Sequence, residues 1–239
     1  AIRDIFRASF KKQFVLSFAD RPDCLFVGAH QKLCIIIASR KSTEDTRGIY
    51  TSTYYYWYKS ERNKLFNSLS VYRNVFVSVS GAPKIGNIQE SHLYQKTHLG
   101  GRSLLSCLTQ HDNTTPLFLN MRGCFWMKAF SFSPGSSEYK QFSVRKDDYG
   151  YIMCLLNSSL FFTQWIALSD CWHITRKELD SFSVPEIDEQ RKRQFSALAI
   201  RLSEKLESTK VYIGSKQVDY EYKHKLCKDV IDEIDDALM

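Results

Sequence analysis

The sequence predicts a mixed α+β fold. An amphipathic segment opens the chain, runs rich in β-branched and aromatic residues follow it, and two apolar stripes at helical spacing close it. The chain has 239 residues, of which 44% are hydrophobic, which is enough for one large or two small domains with a substantial core. We therefore expect a folded globular protein.

The first eighty residues predict one helix that leads into several strands of an α/β sheet. Apolar residues recur at helical spacing over Ile2–Phe14, with Arg and Lys between them. Phe14–Phe18, Leu33–Ala38 and Gly48–Trp57 are strand-like, and Gly, Pro and polar residues separate them.

The middle of the chain changes character after Val79, where glycines and prolines interrupt a polar stretch. Strands are predicted at Pro116–Met121 and Cys124–Phe132, with a hairpin turn at Arg122–Gly123. Helices are predicted over Tyr149–Ser169, with a break at Asn157–Ser159, because Asn ends helices and Ser caps them.

The tail predicts two amphipathic helices that pack on the rest of the protein or on each other. Their stripes are Phe195, Leu198, Leu202 and Leu206, and then Tyr222, Leu226, Val230, Ile234 and Leu238. The predicted organisation is thus three segments, 1–79, 80–185 and 186–239.

Charge favours a polyanionic partner. The chain carries 33 Lys and Arg against 26 Asp and Glu, a formal net charge of +7. Aromatic residues lie among basic ones in stretches such as Tyr50–Lys59 and Arg122–Lys128, which suits stacking on bases with cations on phosphates. Core packing and cation–π pairs explain the same pattern, so both interpretations stay open.

Several classes of site are excluded by spacing. The seven cysteines lie at least ten positions apart and the six histidines have no metal-ligand spacing, so we expect free thiols and no metal site. Glycines are few and none form Gly-x-Gly, which excludes a phosphate-binding P-loop. No signal segment or long apolar run occurs, so we expect a cytoplasmic protein with no membrane partner.

A metal-dependent nuclease is a weaker alternative. Its acidic and basic residues would be Asp23 after Pro22, with Glu221 and Lys223. The preferred interpretation places Glu221 and Lys223 at the start of an amphipathic helix, where charges solvate the outer face.

A short segment before residue 180 suggests an anion contact. Thr175 and Glu178 have capping-box spacing, which places Arg176 and Lys177 in the first helical turn. The helix dipole disfavours cations there unless an anion docks beside them. Trp172 and His173 would then reach a base or sugar, although a buried Trp beside a His hydrogen-bonded in a tight corner fits equally well.

Three stretches, in this order, resemble the gamma-type adenine-N6 DNA methyltransferases of type IIG restriction-modification and phage-defence systems. Ser17–Phe26 with Gly28–Ile37 resembles the end of the catalytic domain, including the hairpin called motif VIII. Leu155–Phe162, followed by Ser169-Asp170 and His173–Phe182, is similar to the end of the target-recognition domain. Lys225–Leu238 resembles the closing helix of these proteins.

The resemblance implies a domain order and a function. Residues 1–79 would be the tail of a Rossmann-like methyltransferase sheet, 80–185 an α/β target-recognition domain that binds double-stranded DNA, and 186–239 a helical segment. The loops for S-adenosylmethionine and for catalysis would lie upstream of Ala1, in the parent protein, with or without a fused restriction endonuclease. The chain alone would bind DNA without methylating it, and would associate with that upstream catalytic region or with a second copy of itself.

Site residues follow from the same resemblance. Phe26 occupies the position of the motif VIII aromatic, which packs against the flipped adenine, although packing beside Leu25 and Ile35 in the core is the alternative. Base contacts are expected from Arg102, Asn120, Arg122 and Lys128. Phosphate contacts are expected from Lys96, Arg145, Lys146, Arg176 and Lys177. A second hypothesis is a non-catalytic specificity or assembly subunit that pairs through its C-terminal helices with a separate catalytic chain.

Overall fold

The protein has a mixed α+β fold, as predicted, and its chain forms two compact units. The computed structural model describes residues 2–41, 43–44, 46–78, 81–98, 100–123, 126, 128–214 and 220–239. One unit contains residues 1–96 with 166–168, and the other contains 97–165 with 169–239.

The first unit is built around a four-stranded sheet. Its elements are α1 (Ile2–Ser9), β1 (Lys12–Phe18), β2 (Leu33–Ser39), β3 (Gly48–Tyr55), β4 (Tyr72–Arg73) and α2 (Ile88–Lys96), with a 3₁₀ helix at Lys59–Asn67. The strand order is β2-β1-β3-β4. Strand β1 is antiparallel to β2 and parallel to β3, and β3 is antiparallel to β4. The three strands predicted in this region are confirmed.

The predicted helix over Ile2–Phe14 is wrong in its second half. Helix α1 ends at Ser9 and the chain enters β1 at Lys12. The buried Gln13 side chain donates hydrogen bonds to the carbonyls of Phe6 and Phe10, at 3.2 and 3.4 Å. These bonds satisfy acceptors at the helix end, while the β1 backbone pairs with strands on both sides.

A small apolar core supports this sheet. Leu16 and Phe18 of β1 pack with Trp57 and Leu65, which is the buried residue of the 3₁₀ helix. Each of these side chains is at most 9% exposed. The alternation of β1 thus directs Leu16 and Phe18 into the core.

The second unit surrounds a buried helix. Its elements are β5 (Arg102–Ser103), α3 (Leu104–Leu108), β6 (Thr114–Asn120), β7 (Ala129–Phe130), β8 (Tyr139–Arg145), α4 (Tyr149–Asn157), α5 (Ser159–Leu168), α6 (Arg176–Ser181), β9 (Ser183–Val184), α7 (Glu189–Ser208), β10 (Lys210–Tyr212), β11 (Tyr220–Tyr222) and α8 (Lys228–Leu238). Antiparallel pairing gives a three-stranded sheet in the order β7-β6-β8 and two smaller ribbons, β5-β9 and β10-β11.

The strand prediction for this unit is confirmed at Pro116–Met121, which corresponds to β6. Among the described residues of the predicted strand Cys124–Phe132, Ala129–Phe130 form a strand. Cys124, Phe125 and Met127 lie outside the described residues. The hairpin turn predicted at Arg122–Gly123 is not formed, because Arg122 forms an antiparallel bridge with His173 and the Gly123 amide donates to the Trp172 carbonyl at 3.1 Å.

The predicted helix break is confirmed. Helix α4 ends at Asn157, and the Ser158 hydroxyl accepts a hydrogen bond from the Phe161 amide at 3.1 Å, which caps α5. Every residue from Gly150 to Asn157 is buried, so α4 is covered on all sides. No single helix in the described part of the chain is long and apolar enough to cross a membrane. The pair Lys146–Asn157 and Ser159–Leu168 meets that test only jointly, across a 62° bend.

The tail helices pack inside the second unit. The first stripe is confirmed, because Phe195, Leu198, Leu202 and Leu206 are buried along α7. The second stripe is correct only in part. Helix α8 begins at Lys228 and buries Val230 and Ile234, but Tyr222 belongs to strand β11 and Leu226 is 61% exposed.

The boundary between the two compact units differs from the boundaries of the three predicted segments. The main division falls between Lys96 and Thr97 rather than after residue 79, because α2 packs in the first unit through Tyr94, beside Ile85. Residues 186–239 belong to the same unit as β6 and β8, since α7 packs against α4. The assignment of these regions to methyltransferase domains stays a prediction.

Replacement of Gly150 tests the contact between α4 and α7. A Cβ atom at Gly150 would lie 2.6 Å from the Ser196 Cα and 2.7 Å from its amide nitrogen. Because backbone atoms cannot rotate away, we expect Gly150→Ala to lower the free energy of unfolding by about 2 kcal/mol, despite the better helix propensity of Ala. Urea denaturation measures this loss.

Gly135→Ala is the control. Gly135 has a φ of +71° and no heavy atom within 4 Å of the added Cβ. It should lose only about 1 kcal/mol, from backbone strain. Equal losses for the two variants would contradict close packing of α4 on α7.

Candidate nucleic-acid interface

A cleft of about 670 Å³ in the second unit brings together three of the four predicted base-contacting residues. Asn120, Arg122 and Lys128 lie along it, on and beside strands β6 and β7. Its remaining lining residues are Trp126, Glu221, Tyr222, Lys223, His224, Lys225 and Leu226. The cleft therefore combines four cationic side chains with one carboxylate and three aromatic rings, those of Trp126, Tyr222 and His224.

The β6 end of the cleft is fixed by backbone pairing. The Asn120 amide donates to the Lys128 carbonyl at 2.9 Å, which continues the pairing of β6 with β7. The Asn120 side-chain oxygen accepts from the Arg122 amide at 2.7 Å and so holds the chain as it leaves β6. Arg122 forms an ion pair with Glu138 at 2.9 Å, with almost half of its side chain exposed. These contacts leave part of the guanidinium facing the cleft.

Lys128 is the least solvated cation of the cleft. Burial lowers the pKa of its ammonium, although Glu221 and Glu138 act in the opposite direction. Among the described residues, no carboxylate lies within ion-pair distance of Lys128, Lys223 or Lys225. Three ammonium groups without a paired carboxylate give the cleft a positive potential.

An aromatic column lines one wall of the cleft. The His224 and Trp126 rings are stacked, with centroids 5.2 Å apart and planes 10° apart. Phe162 packs on Trp126 at 5.6 Å, and Trp165 packs on Phe162 at 5.8 Å. Burial and the nearby Lys128 and Lys225 lower the pKa of His224 to about 4, so its imidazole is neutral at neutral pH.

The buried helix α4 holds the other wall. The Asn157 carboxamide accepts from the Ala129 amide at 3.2 Å and donates to the Ala129 carbonyl at 3.1 Å. It also donates to the Met153 carbonyl at 2.9 Å. Since Ala129 directly follows Lys128, the Asn157 side chain fixes the position of Lys128 in the cleft.

Trp172 and His173 lie next to the cleft, in a tight corner that Asp170 closes. The Asp170 carboxylate accepts from the amides of both residues at 2.8 Å and lies 3.2 Å from His173 Nδ1. These amides and the His173 ring lower the pKa of Asp170, against the opposing effect of burial. His173 is exposed and forms an antiparallel bridge with Arg122, while Trp172 is half-buried. The hydrogen-bonded corner is therefore present, and its histidine faces solvent.

Arg176 and Lys177 begin α6, as predicted from the capping box. The Glu178 carboxylate accepts from the Thr175 amide at 2.8 Å. Both basic side chains are exposed. Arg176 lines a smaller cleft of about 230 Å³, together with Met121 and Lys140.

Arg102, the fourth residue predicted to contact a base, is engaged inside the protein. Its guanidinium lies 3.2 Å from the buried Asp148 carboxylate, which Lys192 approaches to 3.6 Å from the other side. Contact with a base would require Arg102 to leave this ion pair.

The remaining predicted phosphate contacts are dispersed. Arg145 is exposed at the end of β8, and Lys146 lines a separate cleft of about 340 Å³ beside α4 and α7. Lys96 ends α2 and belongs to the first unit.

Phe26 lies in the loop that joins β1 to β2, and its side chain is 63% exposed. Core packing beside Leu25 and Ile35 is therefore not its role. The loop is held by Arg62, whose guanidinium donates to the Cys24 and Leu25 carbonyls at 2.8 and 3.2 Å and pairs with Asp23 at 3.3 Å. An exposed aromatic ring on a restrained loop is available for contact with a ligand.

The prediction that Glu221 and Lys223 begin an amphipathic helix is wrong. Glu221 belongs to β11, and Lys223 caps a short 3₁₀ helix, His224–Cys227, that precedes α8. Asp23, the third residue of the nuclease alternative, belongs to the other compact unit. Within the described residues, no group of three or more His, Cys, Asp or Glu side chains is placed to hold a metal ion.

Trp126, His224 and Lys225 were missed as cleft residues by sequence reasoning. The run Lys223-His224-Lys225 is a basic signal that could have identified one wall. The four-residue spacing from Tyr222 and Leu226 into the tail instead predicted one continuous helix. That helix would have placed Lys223 and Lys225 on a solvated face.

Compared with known protein families and with curated proteins, the chain gives no match. The resemblance to gamma-type adenine methyltransferases therefore remains a prediction.

The lowered pKa of His224 predicts that the free energy of unfolding decreases in acid. Between pH 6.5 and about 4 the unfolded chain binds a proton at His224 that the folded chain does not, so stability falls as the pH falls through this window. His224→Phe keeps the stacked ring and removes the titration. We expect it to reduce the acid loss of stability by about 1 to 2 kcal/mol, after allowance for partial solvation.

Urea denaturation across that pH range measures the difference. His111→Phe, at an exposed histidine outside this cleft, should retain the wild-type pH dependence. An unchanged acid loss in His224→Phe would show that His224 is not held neutral by the fold.

Proposed function

We propose that this chain is the sequence-specific DNA-recognition part of a S-adenosylmethionine-dependent adenine-N6 DNA methyltransferase of a restriction-modification system. The observation that carries the proposal is the cationic cleft. Asn120, Arg122 and Lys128, selected from the sequence, line it together with Lys223 and Lys225.

The electrostatics of the cleft support a polyanionic ligand. Lys128 is partly desolvated and has no paired carboxylate among the described residues, so it gains from a phosphate that replaces its lost hydration. Binding of the cleft cations to DNA would also release counterions from the phosphate backbone. Arg122 and Asn120 add groups that can pair with guanine and adenine edges. The net charge of +7 favours the same partner.

Phe26 gives the proposal its link to methylation. An adenine amine is buried in a base pair, so a methyltransferase must turn the base out of the helix. An exposed aromatic side chain on a loop restrained by Arg62 is suited to pack against such a base. On this proposal, the catalytic region of the parent binds S-adenosylmethionine and transfers the methyl group, and the protein acts in the cytoplasm.

The alternative, an assembly subunit that docks through its C-terminal helices, receives less support. The apolar stripe of α7 and the apolar residues of α8 are buried within the second unit. A docking role would need them accessible.

Removal of the two cleft cations tests the proposal. Wild-type chain should retard duplex DNA at low salt, and its affinity should fall steeply between about 50 and 200 mM salt. The double variant Arg122→Ala/Lys128→Ala should bind more weakly and should reduce the slope of log affinity against log salt by about 2, since each cation neutralises about one phosphate. Electrophoretic mobility shift at several salt concentrations measures both quantities.

Arg193→Ala is the matched control. Arg193 is exposed on α7 and does not line the cleft. It carries the same charge, and its removal should leave the slope unchanged. Absence of duplex binding by the wild-type chain at low salt would refute the proposed function.

A further inference from the structure

A second, smaller cleft in the second unit is also lined by basic side chains. Lys140 and Arg176 line this cleft together with His111, and its volume is about 230 Å³. We call it the Arg176 cleft. All three side chains are exposed to solvent, and none of the described residues that line the cleft is acidic. The lining therefore favours a negatively charged ligand.

Buried apolar side chains form the base of the Arg176 cleft. Leu108 and Leu179 are at most 1% exposed, and Phe142 is also buried. The Lys140 ammonium lies 5.3 Å from the centroid of the Phe142 ring, which holds the cation at the cleft. Within the described part of the chain, no carboxylate lies within ion-pair distance of Lys140 or Arg176. Both cations are therefore available to a ligand.

The size and chemistry of the Arg176 cleft fit a phosphate group. Clefts that bind drug-sized organic molecules have volumes of about 300 to 1,000 Å³, which is more than this cleft offers. A guanidinium can donate two parallel hydrogen bonds to phosphate oxygens, and an ammonium adds a point charge beside them. Arg176 and Lys140 supply one group of each kind.

Met121 connects the Arg176 cleft to the cationic cleft. Met121 lines the Arg176 cleft, while its two neighbours, Asn120 and Arg122, line the cationic cleft. The Met121 amide donates to the Glu138 carbonyl at 2.9 Å, and its carbonyl accepts from the Ile174 amide at 2.9 Å. Glu138 and Ile174 each lie two residues before a cation of the Arg176 cleft. These bonds fix both clefts at the same end of β6.

We infer that the Arg176 cleft binds a second backbone phosphate of the duplex that the cationic cleft holds. The inference rests on the proposed function. Contacts to phosphates fix the register and orientation of a protein on DNA without reading its sequence. Two such sites at one end of β6 orient the second unit more strictly than one. Lys140 and His111, which the sequence did not single out, become contact residues.

Removal of the two cations of the Arg176 cleft tests the inference. Lys140→Ala/Arg176→Ala should reduce the slope of log affinity against log salt by about 2, because each cation neutralises about one phosphate. Combined with Arg122→Ala/Lys128→Ala, the reduction should be about 4, because separate phosphate contacts each release their own counterions. Electrophoretic mobility shift on the same duplex measures all of these slopes.

Lys140→Arg/Arg176→Lys is the matched control. It exchanges the two groups and keeps both charges, so its slope should equal that of the wild type. Arg193→Ala removes an exposed cation outside both clefts and should also leave the slope unchanged. A slope reduced as much in the charge-retaining variant as in Lys140→Ala/Arg176→Ala would attribute the effect to altered structure and overturn the inference.

A free phosphate ion is the other source of this ligand chemistry. Titration calorimetry with inorganic phosphate, in the absence of DNA, should detect no saturable binding by the wild-type chain. Saturable binding that Lys140→Ala/Arg176→Ala abolishes, with an unchanged slope on duplex DNA, would assign the Arg176 cleft to a free ion and overturn the inference.

The slopes on duplex DNA separate this inference from the proposed function. A slope that Arg122→Ala/Lys128→Ala reduces and Lys140→Ala/Arg176→Ala leaves unchanged overturns the second phosphate site, and the proposed function stands. A wild-type chain that binds no duplex overturns both.

Discussion

The hydrogen bonds between Asn157 and the backbone of Ala129 connect the core of the second unit to its candidate site. Asn157 ends a helix that is buried on every side, and its carboxamide is only 2% exposed. A polar group buried so deeply must be hydrogen-bonded, which commits it to Ala129 and Met153. The position of β7, and with it the depth of Lys128, follows from that requirement.

Aromatic rings and cations lie side by side in the cleft. His224 stacks on Trp126, which packs on Phe162 of α5, and Phe162 packs on Trp165. Burial lowers the pKa of Lys128, and burial with the nearby charges of Lys128 and Lys225 lowers the pKa of His224. On the proposed function, a phosphate backbone in the cleft would relieve the repulsion among these cations.

The positions of the candidate residues separate them into groups that residue type alone does not reveal. Asn120, Arg122 and Lys128 share one cleft, whereas Arg102 is paired with Asp148 inside the second unit. On the proposed function, the cleft cations would bind phosphates whatever the base sequence. Phe26, on a separate compact unit, would serve the target base itself.

The sequence by itself determined the mixed α+β class, strands β1, β2, β3 and β6, the break between α4 and α5, and the buried stripe of α7. These features depend on local periodicity and capping, which neighbouring residues encode. Tertiary structure alone decided that Lys12 begins a strand, that Tyr222 ends a strand and is followed by a short 3₁₀ helix at His224–Cys227, and that Arg102 pairs with Asp148. It also brought Lys223 to Lys225 beside Lys128, because contacts between residues almost a hundred positions apart leave no periodic signal in the chain.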